Sequence, residues 1–138
     1  ELWPPSPALQ QLTLEQRTQS RQVGLIVGMA GNSHWSVAIE NDPRDRSMLF
    51  EVACRVADTE AGTLMTTYKS MVPVKIIDPI ERVAELSIAG RKCRLKVEST
   101  GRGELDELKI EGNIITITPT EMPKTWPATV EWKYRLFG

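Results

Sequence analysis

The amino-acid sequence predicts one all-β domain, an antiparallel β-sandwich of about nine or ten strands. Apolar and polar residues alternate with a period of two along most of the chain, which is typical of strands with one buried face. Clusters of Gly, Pro, Asn and Asp separate the alternating runs. No helical run connects successive strands, so a parallel sheet is not expected. At most one short helical turn is predicted, over residues 79–84.

Length and composition set the broad class. The 138 residues are 41% hydrophobic and 25% charged, which is typical of a single globular, soluble domain. The net charge of −1 gives no large basic surface, so we expect neither a nucleic acid nor a membrane as partner. Three prolines near the start predict an extended arm over residues 1–10, followed by a single β domain over residues 11–138.

In the first half of the chain, residues 23–29 predict a buried strand with Leu25, Val27 and Met29 on one face. The run from Trp35 to Ile39 is expected to pair with it as a hairpin. A helix is the rival for residues 48–57, but their alternation favours a strand. The remaining strands of this half are predicted over residues 12–15 and 63–71, with a further segment over 72–77.

The second half gives the clearest pattern. Two alternating runs, residues 84–88 and 93–97, flank Ala89-Gly90-Arg91 and predict a hairpin with one solvated face. A second hairpin is predicted around Gly112, and a last strand over residues 130–136. Three prolines make residues 118–127 an irregular connection. Because Pro-rich connections can carry the chain between sheets, a sandwich is preferred to the alternative, a closed meander β-barrel.

His34 is the only histidine and therefore the first candidate for acid–base chemistry. Its neighbours Ser33 and Ser36 are not arranged as a nucleophile elbow, since no G-x-S-x-G motif surrounds them. The alternation places His34 on the polar face of its strand. We therefore expect a surface residue at a hairpin end, and an enzyme based on His34 is only a weak alternative.

Cys54 and Cys93 each fall on the apolar face of a predicted strand, where a thiol is a small hydrophobic group with a raised pKa. The sequence leaves open whether they are reduced or bridged. Two cysteines favour reduced thiols and a cytoplasmic location. One histidine and two separated cysteines form no metal-ligand cluster, so neither a metal nor another cofactor is expected. The chain starts at Glu1 instead of Met, which is compatible with a domain excised from a longer protein.

Trp3 and Trp126 are the candidate interaction residues, because prolines flank both and irregular segments bury a large ring poorly. The simpler alternative is that the two rings cap the ends of the sandwich. With no recognisable catalytic set, the sequence predicts a non-enzymatic interaction or assembly module, with a protein partner or self-association. The alternative is a β-barrel that binds a small apolar ligand. A nucleic-acid binder using Lys92, Arg94 and Lys96 ranks last.

Overall fold

The computed structural model describes residues 9–18, 21–57 and 64–138. Within these ranges the chain forms strands and no helix, which confirms the all-β prediction. The strands are β1 (Gln10–Gln16), β2 (Gln22–Ala30), β3 (Ser33–Asp42), β4 (Ser47–Val56), β5 (Thr66–Lys69), β6 (Lys75–Asp78), β7 (Val83–Ile88), β8 (Arg91–Glu98), β9 (Glu107–Glu111), β10 (Ile114–Thr118) and β11 (Ala128–Phe137).

These strands form two antiparallel sheets. The large sheet has eight strands in the order β1-β2-β3-β4-β11-β8-β7-β6, and the small sheet has the order β5-β10-β9. The sheets are not closed into a barrel, so the barrel alternative is wrong and the sandwich is confirmed. The barrel fails because the chain crosses between the layers after β4, β5, β8 and β10, which leaves both sheets with open edges.

The core lies where the small sheet covers the middle of the large one. Both sheets contribute apolar side chains to it, and alternation turns every second residue of each strand inward. Trp132 in β11 is fully buried and meets Trp35 of β3 edge to face, with ring centroids 5.8 Å apart. The other large buried residues include Val52, Cys54, Val56, Leu95, Val97, Ile115, Ile117 and Tyr134.

A chain of polar groups connects the two layers inside this core. The Trp132 indole Nε1–H donates to Thr66 Oγ1 of β5 over 2.7 Å. The Thr66 side chain also forms a hydrogen bond with the hydroxyl of Tyr134, which in turn is hydrogen-bonded to the hydroxyl of Tyr68. Buried polar groups of this kind require partners. The network therefore fixes how β5 sits over β11.

Three sequence predictions are settled by this arrangement. Residues 48–56 form a strand and not a helix, as the alternation indicated. The short helical turn over residues 79–84 is absent: Asp78 Oδ1 instead accepts hydrogen bonds from the amides of Ile80 and Glu81, which closes a turn before β7 begins. Cys54 and Cys93 are both free thiols.

The buried face predicted for β2 is wrong. Leu25 is 38% exposed and Met29 is 57% exposed, because their face points away from the small sheet. Pairing explains the reversal: Gly28 lies opposite Trp35, whose ring enters the core, so the alternate residues of β2 point outward. The inward positions of β2 include Gly24 and Gly28, and these lack the side chains that would have revealed the buried face.

Strand β1 lies outside the core. All seven of its residues are exposed, and none belongs to the buried cluster. Leu12 and Leu14 cover Gly24 of β2, where an added Cβ would lie 3.3 Å from Leu12 Cδ1. Within the described ranges β1 pairs only with β2, so its other edge has no strand partner there. Gln10, predicted to end the extended arm, already belongs to this strand, and residues 1–8 lie outside the described ranges.

Candidate functional site

A pocket of about 610 Å³ lies on the outer face of the large sheet, the face away from the small sheet. The β3–β4 register pairs Trp35 with Cys54, and both enter the core. Their neighbours His34 and Arg55 therefore project outward and also lie directly opposite each other. The pocket forms around this pair, and both residues are exposed. His34 thus lies at a hairpin end on the polar face, as the sequence analysis expected.

Polar side chains surround the His34–Arg55 pair. Arg55 Nη1 donates to Thr129 Oγ1 of β11 across 3.5 Å, a long contact that leaves most of the guanidinium donors available. The described lining contains no carboxylate, and none of the ion pairs between described residues includes Arg55. That lining comprises Gln10, Gln11, Val27, Gly28, Met29, His34, Trp35, Ser36, Ala53, Arg55 and Thr129.

An irregularity in β1 forms one wall of this pocket. The ladder between β1 and β2 shifts register between Gln10 and Thr13, and Gln11 has a φ of 57°. A non-glycine residue in this left-handed region is uncommon. A bulge re-aims the side chains next to it, and bulges occur often beside functional sites. Here it brings Gln10 and Gln11 to the rim beside Met29.

A second cavity, about 480 Å³, lies between the two sheets at the end marked by the β7–β8 turn. Phe50 and Tyr134 stack on one side with ring centroids 5.0 Å apart, and Tyr68 meets Tyr134 edge to face. Burial raises the pKa of the Tyr134 hydroxyl far above its usual value, so this hydroxyl stays neutral. The remaining lining is mostly apolar and includes Leu86, Ile88, Leu95, Ile115 and Leu136.

Of the two tryptophans predicted for interaction, the structure describes Trp126. Trp126 is half-buried and packs against the core, beside a cis peptide bond to Pro127. This position corresponds to the capping alternative, although part of the ring is still accessible. Trp3 lies outside the described residues. A role in recognition for either ring stays a prediction.

The remaining candidates have structural surroundings. Burial raises the pKa of the Cys54 thiol to about 11, partly offset by a hydrogen bond with Ser33, so Cys54 is not an activated nucleophile. Within the basic stripe of β8, Lys92 approaches Glu85 at 3.8 Å and Lys96 approaches Glu81 at the same distance. Two of the three basic residues of this stripe are therefore already close to carboxylates, Lys92 across the β7–β8 ladder and Lys96 at the turn before β7.

Residues 9–18, 21–57 and 64–138 contain no group of three or more His, Cys, Asp or Glu side chains that could hold a metal ion. In the same ranges, no helix is long and apolar enough to cross a membrane. No protein-family model matches the chain, and no curated protein matches it either. Function therefore has to be inferred from the geometry of the described residues.

Sequence reasoning found His34 but missed Arg55 and the two glutamines of β1. Arg55 is one polar position of an alternating strand, and its pairing with His34 depends on the β3–β4 register. Both segments were predicted as strands, but alternation leaves the register between two strands open. The free edge of β1 was missed as well, since alternation does not determine the order of strands in a sheet.

Proposed function

We propose that this protein is a non-enzymatic assembly module, in which two copies associate by pairing their β1 strands. The observation that carries the proposal is the exposed edge of β1. An edge strand presents unpaired N–H and C=O groups and is a template for another strand. The β1 edge has seven residues, carries Glu15 as its one charge and contains neither lysine nor proline.

The other three sheet edges are protected in the usual ways. Strand β6 has four residues, two of them charged, and lies between Pro73 and Pro79. Strand β5 has four residues and ends in Lys69. Strand β9 has five residues, of which Glu107, Lys109 and Glu111 are charged. Short length, charge and proline all oppose the addition of a strand. Strand β1 is longer than these three strands, with one charge and no proline, and its one feature of the protective kind is the bulge between Gln10 and Thr13.

The sequence of β1 is nearly palindromic about Thr13, which favours a second copy as its partner. Gln-Gln-Leu-Thr-Leu-Glu-Gln has the same order in both directions except that Gln11 corresponds to Glu15. In a two-fold antiparallel pair centred on Thr13, Leu12 of each copy lies opposite Leu14 of the other. The two Glu15 carboxylates lie on opposite sides of the two-fold axis, four positions apart along the pair, so no like charges meet.

Burial of the two leucines supplies a driving force for this pairing. Leu12 and Leu14 are 62% and 68% exposed in the single chain. Covering them contributes roughly 1–2 kcal/mol per leucine at about 25 cal/mol per Å² of apolar surface. Pairing also gives β1 backbone hydrogen bonds on both sides. This should stabilise β1 more than a core strand, because β1 lies outside the core and is otherwise held by β2 alone.

The absence of catalytic activity is part of the proposal. A histidine that acts as a general base is normally oriented by a carboxylate or a similar partner. Across its strand pair His34 faces Arg55, and the described lining of its pocket contains no carboxylate. This arrangement is better suited to binding than to proton transfer.

Sedimentation equilibrium of the wild-type chain and of Thr13→Lys tests the assembly. The wild type should sediment with the mass of two chains. In Thr13→Lys, two lysines face each other at the two-fold axis, and like charges directly opposite each other oppose pairing. We expect the dissociation constant of the dimer to rise at least about tenfold, equivalent to about 1.4 kcal/mol.

Thr67→Lys is the matched control, because Thr67 is also exposed and lies on an edge strand of the small sheet. It should sediment as the wild type does, and both variants should have the same circular dichroism spectrum as the wild type. A wild type that is monomeric at every concentration would overturn the proposal. So would a dimer that Thr13→Lys leaves intact, because the interface would then lie elsewhere.

A second candidate function is the binding of a small apolar molecule, favoured by the cleft between the sheets. Aromatic and aliphatic side chains line it, and its volume of about 480 Å³ is in the range of ligand pockets. The neutral fluorophore N-phenyl-1-naphthylamine is a suitable probe. Its fluorescence should rise on binding, and Ile88→Gln should weaken that rise.

Ile80→Gln is the control for this second candidate, since Ile80 is exposed but belongs to the turn before β7 and does not line the cleft. Equal fluorescence from all three proteins would count against a ligand in the cleft. Saturable binding weakened by the Ile88 substitution alone would support it.

A further inference from the structure

We infer that the outer-face pocket binds a small organic anion, whose charged group is held by Arg55 and His34. This site is independent of catalysis and goes beyond the assembly proposed above. Two nitrogen-rich side chains face each other across the β3–β4 ladder, and the described lining supplies no negative charge to balance the guanidinium. A bound anion would supply that charge.

Arg55 is suited to hold a carboxylate or phosphate group. The guanidinium presents five N–H donors in a planar fork, and charged hydrogen bonds to an oxyanion are about twice as strong as neutral ones. One donor contacts Thr129 Oγ1 at 3.5 Å, which orients the side chain from β11 while the remaining donors stay available. Arg21, by contrast, is already paired with the carboxylates of Glu40 and Asp42.

Further donors lie around the same point. His34 and Ser36 project from the same face of β3, because residues two apart in a strand share a face. Gln10 is opposite Val27 of β2, and the register shift beginning at Gln10 places it on the pocket rim. These side chains offer an imidazole N–H, a hydroxyl and an amide to a bound anion.

The floor of the pocket indicates an organic rather than an inorganic anion. Val27 and Met29 of β2 and Ala53 of β4 line it beside the polar group. Met29 is 57% exposed, so its thioether side chain is accessible to a ligand. A ligand with one anionic group and a compact apolar part would bind both the polar group and this apolar floor. Ligand pockets commonly combine apolar walls with a few placed polar groups.

The proposal is tested by titrating the ¹⁵N-labelled chain with sodium benzoate, benzamide and inorganic phosphate, followed by amide chemical shifts. Benzoate carries both the charge and an apolar ring, benzamide lacks the charge, and phosphate lacks the ring. We expect saturable benzoate-induced shifts at His34, Ser36, Arg55 and Thr129. Benzamide and phosphate should bind more weakly at the same amides.

Arg55→Gln should weaken benzoate binding about tenfold or more, because it removes the charge-assisted hydrogen bonds to the carboxylate. Arg94→Gln is the matched control: Arg94 is exposed on β8 and does not line the pocket, so its removal should leave the affinity unchanged. Loss of binding in both variants would indicate non-specific attraction and would overturn the site.

Three further results would overturn it. Absence of saturable shifts at the pocket amides would remove the site, and equal affinity for benzamide and benzoate would remove the role of the charge. Equal affinity for phosphate would remove the role of the apolar floor. Repeating the titration with Thr13→Lys separates this inference from the assembly, since that substitution leaves every lining residue in place.

Discussion

Thr66→Val tests whether the buried polar network holds the two sheets together. Valine has nearly the shape of threonine, so the substitution removes the hydroxyl without opening a large cavity. The Trp132 Nε1–H, which donates to Thr66 Oγ1 over 2.7 Å, is then left inside the core on a side chain with no exposed surface. A buried donor that loses its partner costs about 1–3 kcal/mol.

That cost can be converted to a melting temperature. With an unfolding entropy of about 2.1 cal/mol/K per residue over 138 residues, each kcal/mol lowers Tm by about 3–4 °C. Thr66→Val should therefore lower Tm by about 3–10 °C. Thr67→Val, at the exposed neighbour on the other face of β5, should change it by less than about 2 °C. Urea unfolding followed by circular dichroism gives the corresponding free energies.

A double-mutant cycle with Trp132→Phe isolates the hydrogen bond. Phenylalanine has no indole N–H that could be left without a hydrogen-bond partner, so in the Trp132→Phe protein Thr66→Val should lower the free energy of unfolding by less than it does in the wild type. The residual cost belongs to the contact between Thr66 and the Tyr134 hydroxyl. A coupling energy near zero between positions 66 and 132 would refute the reasoning, because the two groups would then be independent.

Three further predictions concern ionisable groups. Burial raises the pKa of the Cys54 thiol from 9.0 to about 11, so the neutral thiol stabilises the folded state fully below pH 9. As the pH rises to 11, the free energy of unfolding should fall by about 2 kcal/mol. Cys54→Ala should remove this fall from a series of urea-unfolding measurements at alkaline pH. Burial also raises the pKa of Asp106, which favours its protonated form in the folded state. Asp106→Asn, which keeps an acceptor for the Thr120 amide, should raise Tm at pH 7 but not at pH 3, and a lower Tm at pH 7 would contradict this. Glu85→Gln should change the unfolding free energy by less than about 0.5 kcal/mol, since its two lysine partners are 70% and 83% exposed; a larger loss in urea unfolding would show that these pairs matter.

The sequence predicted the fold best where local pattern and tertiary environment agree. The hairpin around Gly90 and the last strand both alternate over a solvated outer face, and both are strands in the structure. The pattern failed in β2, where glycines occupy inward positions and leucine and methionine occupy outward ones. At these positions of β2 the large apolar residues are therefore on the exposed face and the small residues are on the buried face, which is the reverse of what alternation predicts.

The candidate sites were less predictable because they depend on pairing between distant segments. His34 could be placed on a polar face from alternation alone. Its position opposite Arg55, 21 residues later in the chain, depends on the register of two long strands. The near-palindrome in β1 can be seen in the sequence, but it favours pairing with a second copy only if β1 is an edge strand. Whether β1 is an edge strand depends on the order of strands in the sheet, which the sequence pattern does not give.

The position of β11 has a consequence for how the domain folds. This strand lies between β4 and β8, pairing ten residues with the first and five with the second, and it joins two meanders that are otherwise separate within the large sheet. During synthesis both meanders emerge before it, each with an open edge where β11 will later insert. Closing these long-range contacts is slow compared with hairpin formation. Until that step the nascent chain exposes two unpaired strands that belong to the centre of the finished sheet, and this is the stage at which it is most prone to aggregate.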